Sequence, residues 1–307
     1  MNKARFGILA LTCFVGLLVF APSISAQPTV ARVKRTSALP NSLGKLRYSY
    51  SVAVDSKGDV YVADTGNNRI VKLTGNGSNG KAIGKAGRGK GSFSKLEDIE
   101  VDAAGNIYTA DSQNNLVQKM TPDGAVAWAA TIKTPQGLGV AGDGTVYVSS
   151  ALDHKVIRLG PNGESQKEWG SFGSDKGQFQ YPHDIVIDKE GNVYVADFAN
   201  ARIQKFRNDG TFITAWGQLG EGNGQFHNPW GLAIDSTGNI WVSDMGNHRL
   251  QIFTPDGKFV GTQGHFSENA NGPSDFNFPK GIKFGPNGDL FVAQPGVHAV
   301  DRLSVKR

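Results

Sequence analysis

The sequence predicts an all-β fold: a six-bladed β-propeller of four-stranded blades, with the last blade closed by an N-terminal strand. One pattern recurs along the chain and reads most cleanly from Asp184 to Gly210: apolar alternation, Asp-x-x-Gly, Val-Tyr-Val-Ala-Asp, x-x-Asn-x-Arg, a second alternation, then Asp-Gly. A self-similar period of this length marks an array of supersecondary units. Aligned on the turn glycine, the units fall at Gly58, Gly105, Gly144, Gly191, Gly238 and Gly288, with intervals of 47, 39, 47, 47 and 50 residues, so there are six. The last unit stops after its third strand near Leu303, while the stretch Pro28-Thr29-Val30-Ala31-Arg32-Val33 belongs to no complete repeat. Pairing the two supplies the missing outer strand and removes the open edges of the ring.

Residues 1–26 read differently from the rest. Lys3 and Arg5 precede sixteen uncharged, mostly apolar residues from Phe6 to Ala21, and Pro22-Ser23-Ile24-Ser25-Ala26 follows. This is the layout of a secretory signal. Cleavage near Gln27 is expected and places the protein in a secreted or periplasmic compartment, without membrane insertion after cleavage. An uncleaved anchor is the alternative, although sixteen residues fall short of the roughly 20 a spanning helix needs. The one cysteine, Cys13, lies inside this segment, so residues 27–307 carry no thiol, disulfide or thiolate metal site. Loss of Lys3 and Arg5 lowers the formal charge from +5 to +3. That excess is spread without a basic run, and no nucleic-acid partner is expected.

The propeller occupies residues 27–307, with blade cores at about 49–87, 96–132, 135–173, 182–220, 229–266, and 279–307 plus 28–35. Each blade holds four short alternations, in blade four Ile185/Ile187, Val193/Val195, Ile203/Lys205 and Phe212/Thr214. Glycine supplies the positive φ of the first turn, and the Asn or Asp after it (Asn106, Asn192, Asn239, Asp59, Asp289) tolerates the same region. The second hairpin turn repeats as Pro122-Asp123-Gly124, Pro161-Asn162-Gly163, Asn208-Asp209-Gly210 and Pro255-Asp256-Gly257.

Several features carry a resemblance: Pro-x-Gly/Asp-Ile/Leu-Ala-Val-Asp, Gly-Asn-Ile-Tyr-Val-Ala-Asp, Asn-x-Arg-Ile-Gln-Lys-Phe, and the linkers Gly177-Gln178-Phe179 and Gly224-Gln225-Phe226. The chain resembles the NHL repeat family over essentially residues 28–307, best in blades one, four and five. The resemblance implies a six-bladed propeller that binds other molecules, with a minority of enzymes among such proteins. It does not by itself imply a function.

In a repeat array the shared residues build the scaffold, so function is sought where equivalent positions differ. The connections from outer strand to next inner strand, and from second to third strand, emerge on one face, and the length variation falls in the former. The slot just before each inner strand holds, in blade order, Tyr50, Glu97, Gln136, His183, Trp230 and Lys280. Six blades aim these side chains at the mouth of the central channel, where they form a candidate pocket for a polar ligand or simply line a solvent-filled opening. Trp230 stands out. Trp241 takes the inward aromatic position of Tyr61, Tyr108, Tyr147 and Tyr194, and Trp128, Trp169 and Trp216 lie in outer strands, leaving Trp230 to stack on a ligand or anchor an interface.

Other chemistry is weaker. The sets Asp64/Asn67/Arg69, Asp197/Asn200/Arg202 and Asp244/Asn247/Arg249 recur in three blades, whereas one reaction needs one site, so they read as turn-fixing devices with the Arg pairing two strands along. Blades three and six depart from them with Ser150/Asp153/Lys155 and Gln294/Val297/Ala299 and are expected to be looser. His154, His248 and His298 lie in different blades and do not converge on one ion. Gly84 to Gly91 imitates a phosphate-binding loop, but Gly91 replaces the metal-binding hydroxyl and no helix follows. No metal site is expected from histidine; Glu97, Asp98 and Asp184 are the one oxygen-ligand set open to calcium or magnesium, and no other cofactor is expected.

The favoured reading is an exported, monomeric binding scaffold for a peptide, glycan or protein ligand at the channel mouth, with no catalytic residue identified. The alternative is a divalent-metal-dependent lyase or hydrolase using His183. Among proteins of the NHL type, the lyase that cleaves peptidyl-hydroxyglycine holds zinc with histidines in Pro-His contexts. Here only Pro182-His183 matches, against Pro135-Gln136, Pro229-Trp230 and Pro279-Lys280, so the histidine set is incomplete.

Overall fold

A computed structural model describes residues 27–36, 40, 43–75, 77, 79–272 and 274–306. The expected signal segment, residues 1–26, lies outside the described residues. Among them, no helix is long and apolar enough to cross a membrane.

Six four-stranded antiparallel sheets form the blades of a β-propeller. Blade four is representative, with strands Pro182–Ile187, Val193–Asp197, Arg202–Phe206 and Phe212–Trp216 in that order from axis to rim. Burial follows position in the blade. Second strands such as Val193–Asp197 are buried at every residue because neighbouring blades cover both faces, whereas the outer strand Ser165–Trp169 of blade three is almost wholly exposed. The core is therefore a series of layers between blades. Tyr61, Ile70 and Ile83 of blade one pack on Ile99, Ile107 and Met120 of blade two, with Phe93 from the connection plugged between them.

The plugs repeat: Phe93, Phe179, Phe226 and Phe276, all in connections between blades, are fully buried. Gly170 (φ +102°) shows what this requires. A Cβ there would stand 2.6 Å from the Phe179 ring, so the close approach and the left-handed backbone both demand glycine. In blades two, four and five the inward aromatics are anchored at the far end, where Tyr108 and Tyr194 donate to Asp102 and Asp188, and Trp241 Nε1 donates to Asp235.

The N-terminal strand closes the ring as the repeat count requires. Thr29–Thr36 pairs antiparallel with Ala299–Lys306, completing a sheet with Leu290–Gln294 and Ile282–Phe284. Its hold is also electrostatic. Asp301, fully buried, takes Arg32 Nε at 2.7 Å and Arg35 Nε at 2.7 Å.

This explains the departure of blade six from the Asp-Asn-Arg set. In blades four and five the carboxylate sits at the end of the second strand, and a glutamine seven residues on donates to it (Gln204 to Asp197, Gln251 to Asp244). In blade six the two are exchanged, and Gln294 Nε2 donates to Asp301. The carboxylate moves one strand outward, to where the clasp arginines reach it. Blade six has thus relocated its ion pair rather than lost it.

Candidate ligand site at the channel mouth

The Asp-Asn-Arg sets hold the mouth connections in place. Asp197 accepts the Gln180 backbone N–H (2.8 Å), Asn200 Nδ2 and Arg202 Nε (2.8 Å), while Arg202 also donates to the carbonyls of Ser174, Asp175 and Gln178. Asp244 and Asp64 are used in the same way. The arginine lies on the adjacent strand, directly opposite the aspartate, and not two strands along, because Asp197 pairs with Arg202 across one hairpin.

Three histidines serve the same end. His154, His248 and His298 occupy the left-handed position after the second-to-third-strand turn (φ 56°, 54° and 52°). Their Nδ1 atoms accept the backbone N–H of Tyr181, Phe278 and Tyr48 in the next connection, at 3.2, 3.1 and 3.0 Å. Each ring also packs on the aromatic it binds, at 4.5 to 5.1 Å between centroids.

On this rigid face the slot residues come together. His183 lies between Phe198 and Trp230, with ring centroids 4.5 and 4.0 Å away, and Trp230 meets Tyr50 edge-on at 6.2 Å. Lys280 reaches into this basket, its Nζ 3.3 Å from the centroid of Tyr50 and 3.6 Å from that of Trp230. It is carried there by the seam between blades six and one, where the Gly281 N–H donates to the Tyr50 carbonyl. Glu97 accepts Lys95 Nζ at 2.7 Å and Ser112 Oγ at 2.9 Å through Oε1, while its buried Oε2 has no hydrogen-bond partner. Gln136, half-buried, makes no hydrogen bond to the other five among the described residues.

The slot differs from a solvent-filled opening in one respect. Glu97, His183 and Lys280 are only 2, 7 and 8 % exposed, the last two against the aromatic rings. Their titration follows. Burial, helped by the nearby Lys280 and Lys95 charges, pushes His183 down to about 3, so the imidazole is neutral. Burial lowers Lys280 to about 7, against the pull of Glu97. Burial also raises the Tyr50 phenol, and Glu97 adds to it.

One layer below, Asp98 and Asp184 tie blades together. Asp98 accepts the N–H of Ile99 and, from the next blade, of Leu138; Asp184 accepts those of Ile185 and Leu232. Burial raises Asp98 to about 7, and both carboxyls are shifted upward, so they are poor donors to a cation. Among the described residues no three His, Cys, Asp or Glu side chains are grouped to hold a metal ion. The opposite end of the channel is a cavity lined by Val186, Ala233, Phe284 and the ion pair of Lys283 with Glu100 (2.5 Å).

Phe198 and Lys95 complete the basket and were not singled out in the sequence. A signal for Phe198 existed: the residue after the motif aspartate is Thr65, Ser112, Ala151, Phe198, Met245 or Pro295 by blade, a second variable ring. Ser112 of that ring is the hydroxyl that reaches Glu97.

The family model of the NHL repeat matches residues 51–73, 179–206 and 226–253, within blades one, four and five. None of the curated proteins compared with the chain matches it. Among solved structures it is similar to catalytically inactive virginiamycin B lyase from Staphylococcus aureus with quinupristin (16 % identity, TM-score 0.64, 91 % of this chain and 88 % of that one). It is also similar to a gluconolactonase from Xanthomonas campestris (15 %, 0.67, 92 % and 95 %). A third is an auxiliary nutrient binding protein from Bacteroides thetaiotaomicron (14 %, 0.67, 92 % and 77 %). Likenesses at this identity establish the fold, which serves enzymes and binding proteins alike.

Proposed function

We propose that this chain, an NHL-repeat six-bladed propeller, is an exported, monomeric binding protein whose channel mouth takes a peptide, glycan or protein ligand. The observation that carries the reading is the basket itself. Tyr50, Trp230, His183 and Phe198 converge around Lys280, beside a buried carboxylate oxygen of Glu97 with no partner. Aromatic walls with a few convergent polar groups are the usual makeup of a ligand site.

The rim supports a ligand larger than the basket. Tyr48, Phe172, Tyr181, Phe266 and Phe278 are between 43 and 65 % exposed. All five lie in connections opening on this face, and clustered exposed aromatics are characteristic of interaction surfaces. The alternative, a divalent-metal-dependent lyase or hydrolase, has less behind it, since His183 is stacked, buried and weakly basic and Asp98 and Asp184 are occupied by backbone N–H groups.

The test is panning of a glycan array and a displayed random-peptide library on the mature chain, with Trp230→Ala as counter-selection. Binders retained by the wild type and lost by the variant are expected. A set of binders indifferent to Trp230 would overturn the proposal.

A further inference from the structure

Two lysines three residues apart meet opposite fates in this channel. Lys283 is paired at 2.5 Å with Glu100, and although burial works against its charge, that carboxylate holds its pKa above the ordinary lysine value. Lys280 is more withdrawn from water, at 8 % exposure, yet among the described residues no carboxylate lies within ion-pair distance of its amine, which faces two aromatic rings instead. The one acid near enough for its charge to be felt, Glu97, is committed through Oε1 to Lys95 and Ser112. The faces of Tyr50 and Trp230 favour the ammonium, but burial without an acid partner works against it, the condition under which lysine becomes a nucleophile.

We propose that Lys280 is a nucleophilic amine at the floor of the mouth and that the site captures an aldehyde ligand reversibly as an imine. This rests on the mouth being the ligand site and names the chemical class it takes. The Nζ lone pair attacks the carbonyl carbon. A C–N bond forms, the C=O π pair moves to oxygen, and a proton passes from nitrogen to oxygen to give the carbinolamine. Loss of the hydroxyl as water, its second proton also coming from nitrogen, leaves the C=N bond, so one water is released and nothing is oxidised. Tyr50, Trp230 and Phe198 offer flat apolar walls that favour an aldehyde on an aromatic or similarly planar body. Burial lowers Lys280 to about 7, so more of its amine is free at neutral pH than the fraction, on the order of one in a thousand, of an ordinary lysine.

Benzaldehyde with sodium cyanoborohydride at pH 7, applied to the mature chain, traps any imine as a benzylamine that a peptide map locates. The α-amino terminus, the other amine free near neutrality, is read on its own peptide. Lys280 is expected to be labelled at least tenfold faster than any other lysine, and Lys280→Arg removes that label alone. Labelling of Lys280 no faster than of the open Lys189 overturns the inference, and because the wild-type map decides this, a variant that fails to fold does not matter. Trp230-dependent capture from the libraries needs no free amine. Capture with unselective labelling therefore removes the imine and leaves the mouth as a site, whereas selective labelling without capture removes the peptide and glycan reading and leaves the amine.

Discussion

Replacing Asp301 by alanine should open the ring at its seam. The carboxylate is fully buried and receives Arg32 Nε, two bonds from Arg35 and the amide of Gln294. Its loss leaves two guanidinium groups, 12 and 21 % exposed, without their acid. Removing one member of a buried pair costs about 3 to 5 kcal/mol. For a domain of this size that lowers Tm by about 10 °C. The loss should be local in origin, since the clasp strand keeps its ladder to Ala299–Lys306 but not its ion pairs. Urea unfolding gives the free energy, and limited tryptic digestion, with sites at Arg32, Lys34 and Arg35, reports release of the strand. A double-mutant cycle with Arg35→Ala should show a coupling of at least about 1 kcal/mol. An Asp301→Ala protein within about 1 kcal/mol of the wild type, with the strand still protected, would refute the clasp reasoning.

Other outcomes follow from the same geometry. Gly170→Ala should destabilise by about 2 kcal/mol in urea, because a Cβ meets the Phe179 ring and the backbone stays left-handed; a neutral result would mean the connection moves freely. For His183 the unfolded chain binds a proton near 6.5 and the folded one only near 3. Its contribution is therefore complete above pH 6.5 and lost as pH falls toward 3, by up to about 1.4 kcal/mol per pH unit. The wild type should lose stability against His183→Phe over that range, and parallel pH profiles would contradict a buried neutral imidazole. Edman sequencing of the exported protein should begin at Gln27, whereas a retained Met1 would favour the anchor.

Blade number and closure were legible because they are consequences of counting. Six turn glycines and one unpaired stretch at each end leave a single way to bury every edge. The mouth was legible as a ring of differing residues for the same reason, since the slot that Pro-x-Gly marks in blades three, five and six has one equivalent in every other blade. What lay beyond the sequence depends on where side chains reach across blades. That Lys280 ends between Tyr50 and Trp230 is set by the seam of blades six and one, and neither residue is near it in the chain. Gln294 was visible as a departure from the motif, but its compensation needed the knowledge that Arg32 and Arg35 face Asp301 from a strand more than 260 residues away. His154, His248 and His298 could be seen to be equivalent. Their work, accepting a backbone N–H from the next connection, appears only when consecutive blades are placed side by side.

The claim that the mouth is the site rests most directly on one titration. Calorimetry of a captured glycan or peptide against the wild type, Trp230→Ala and Ile213→Ala compares the basket with an exposed apolar residue on an outer strand. The account predicts a Kd at least thirtyfold weaker for Trp230→Ala, about 2 kcal/mol, and an unchanged Kd for Ile213→Ala. Equal affinities for all three proteins would contradict it.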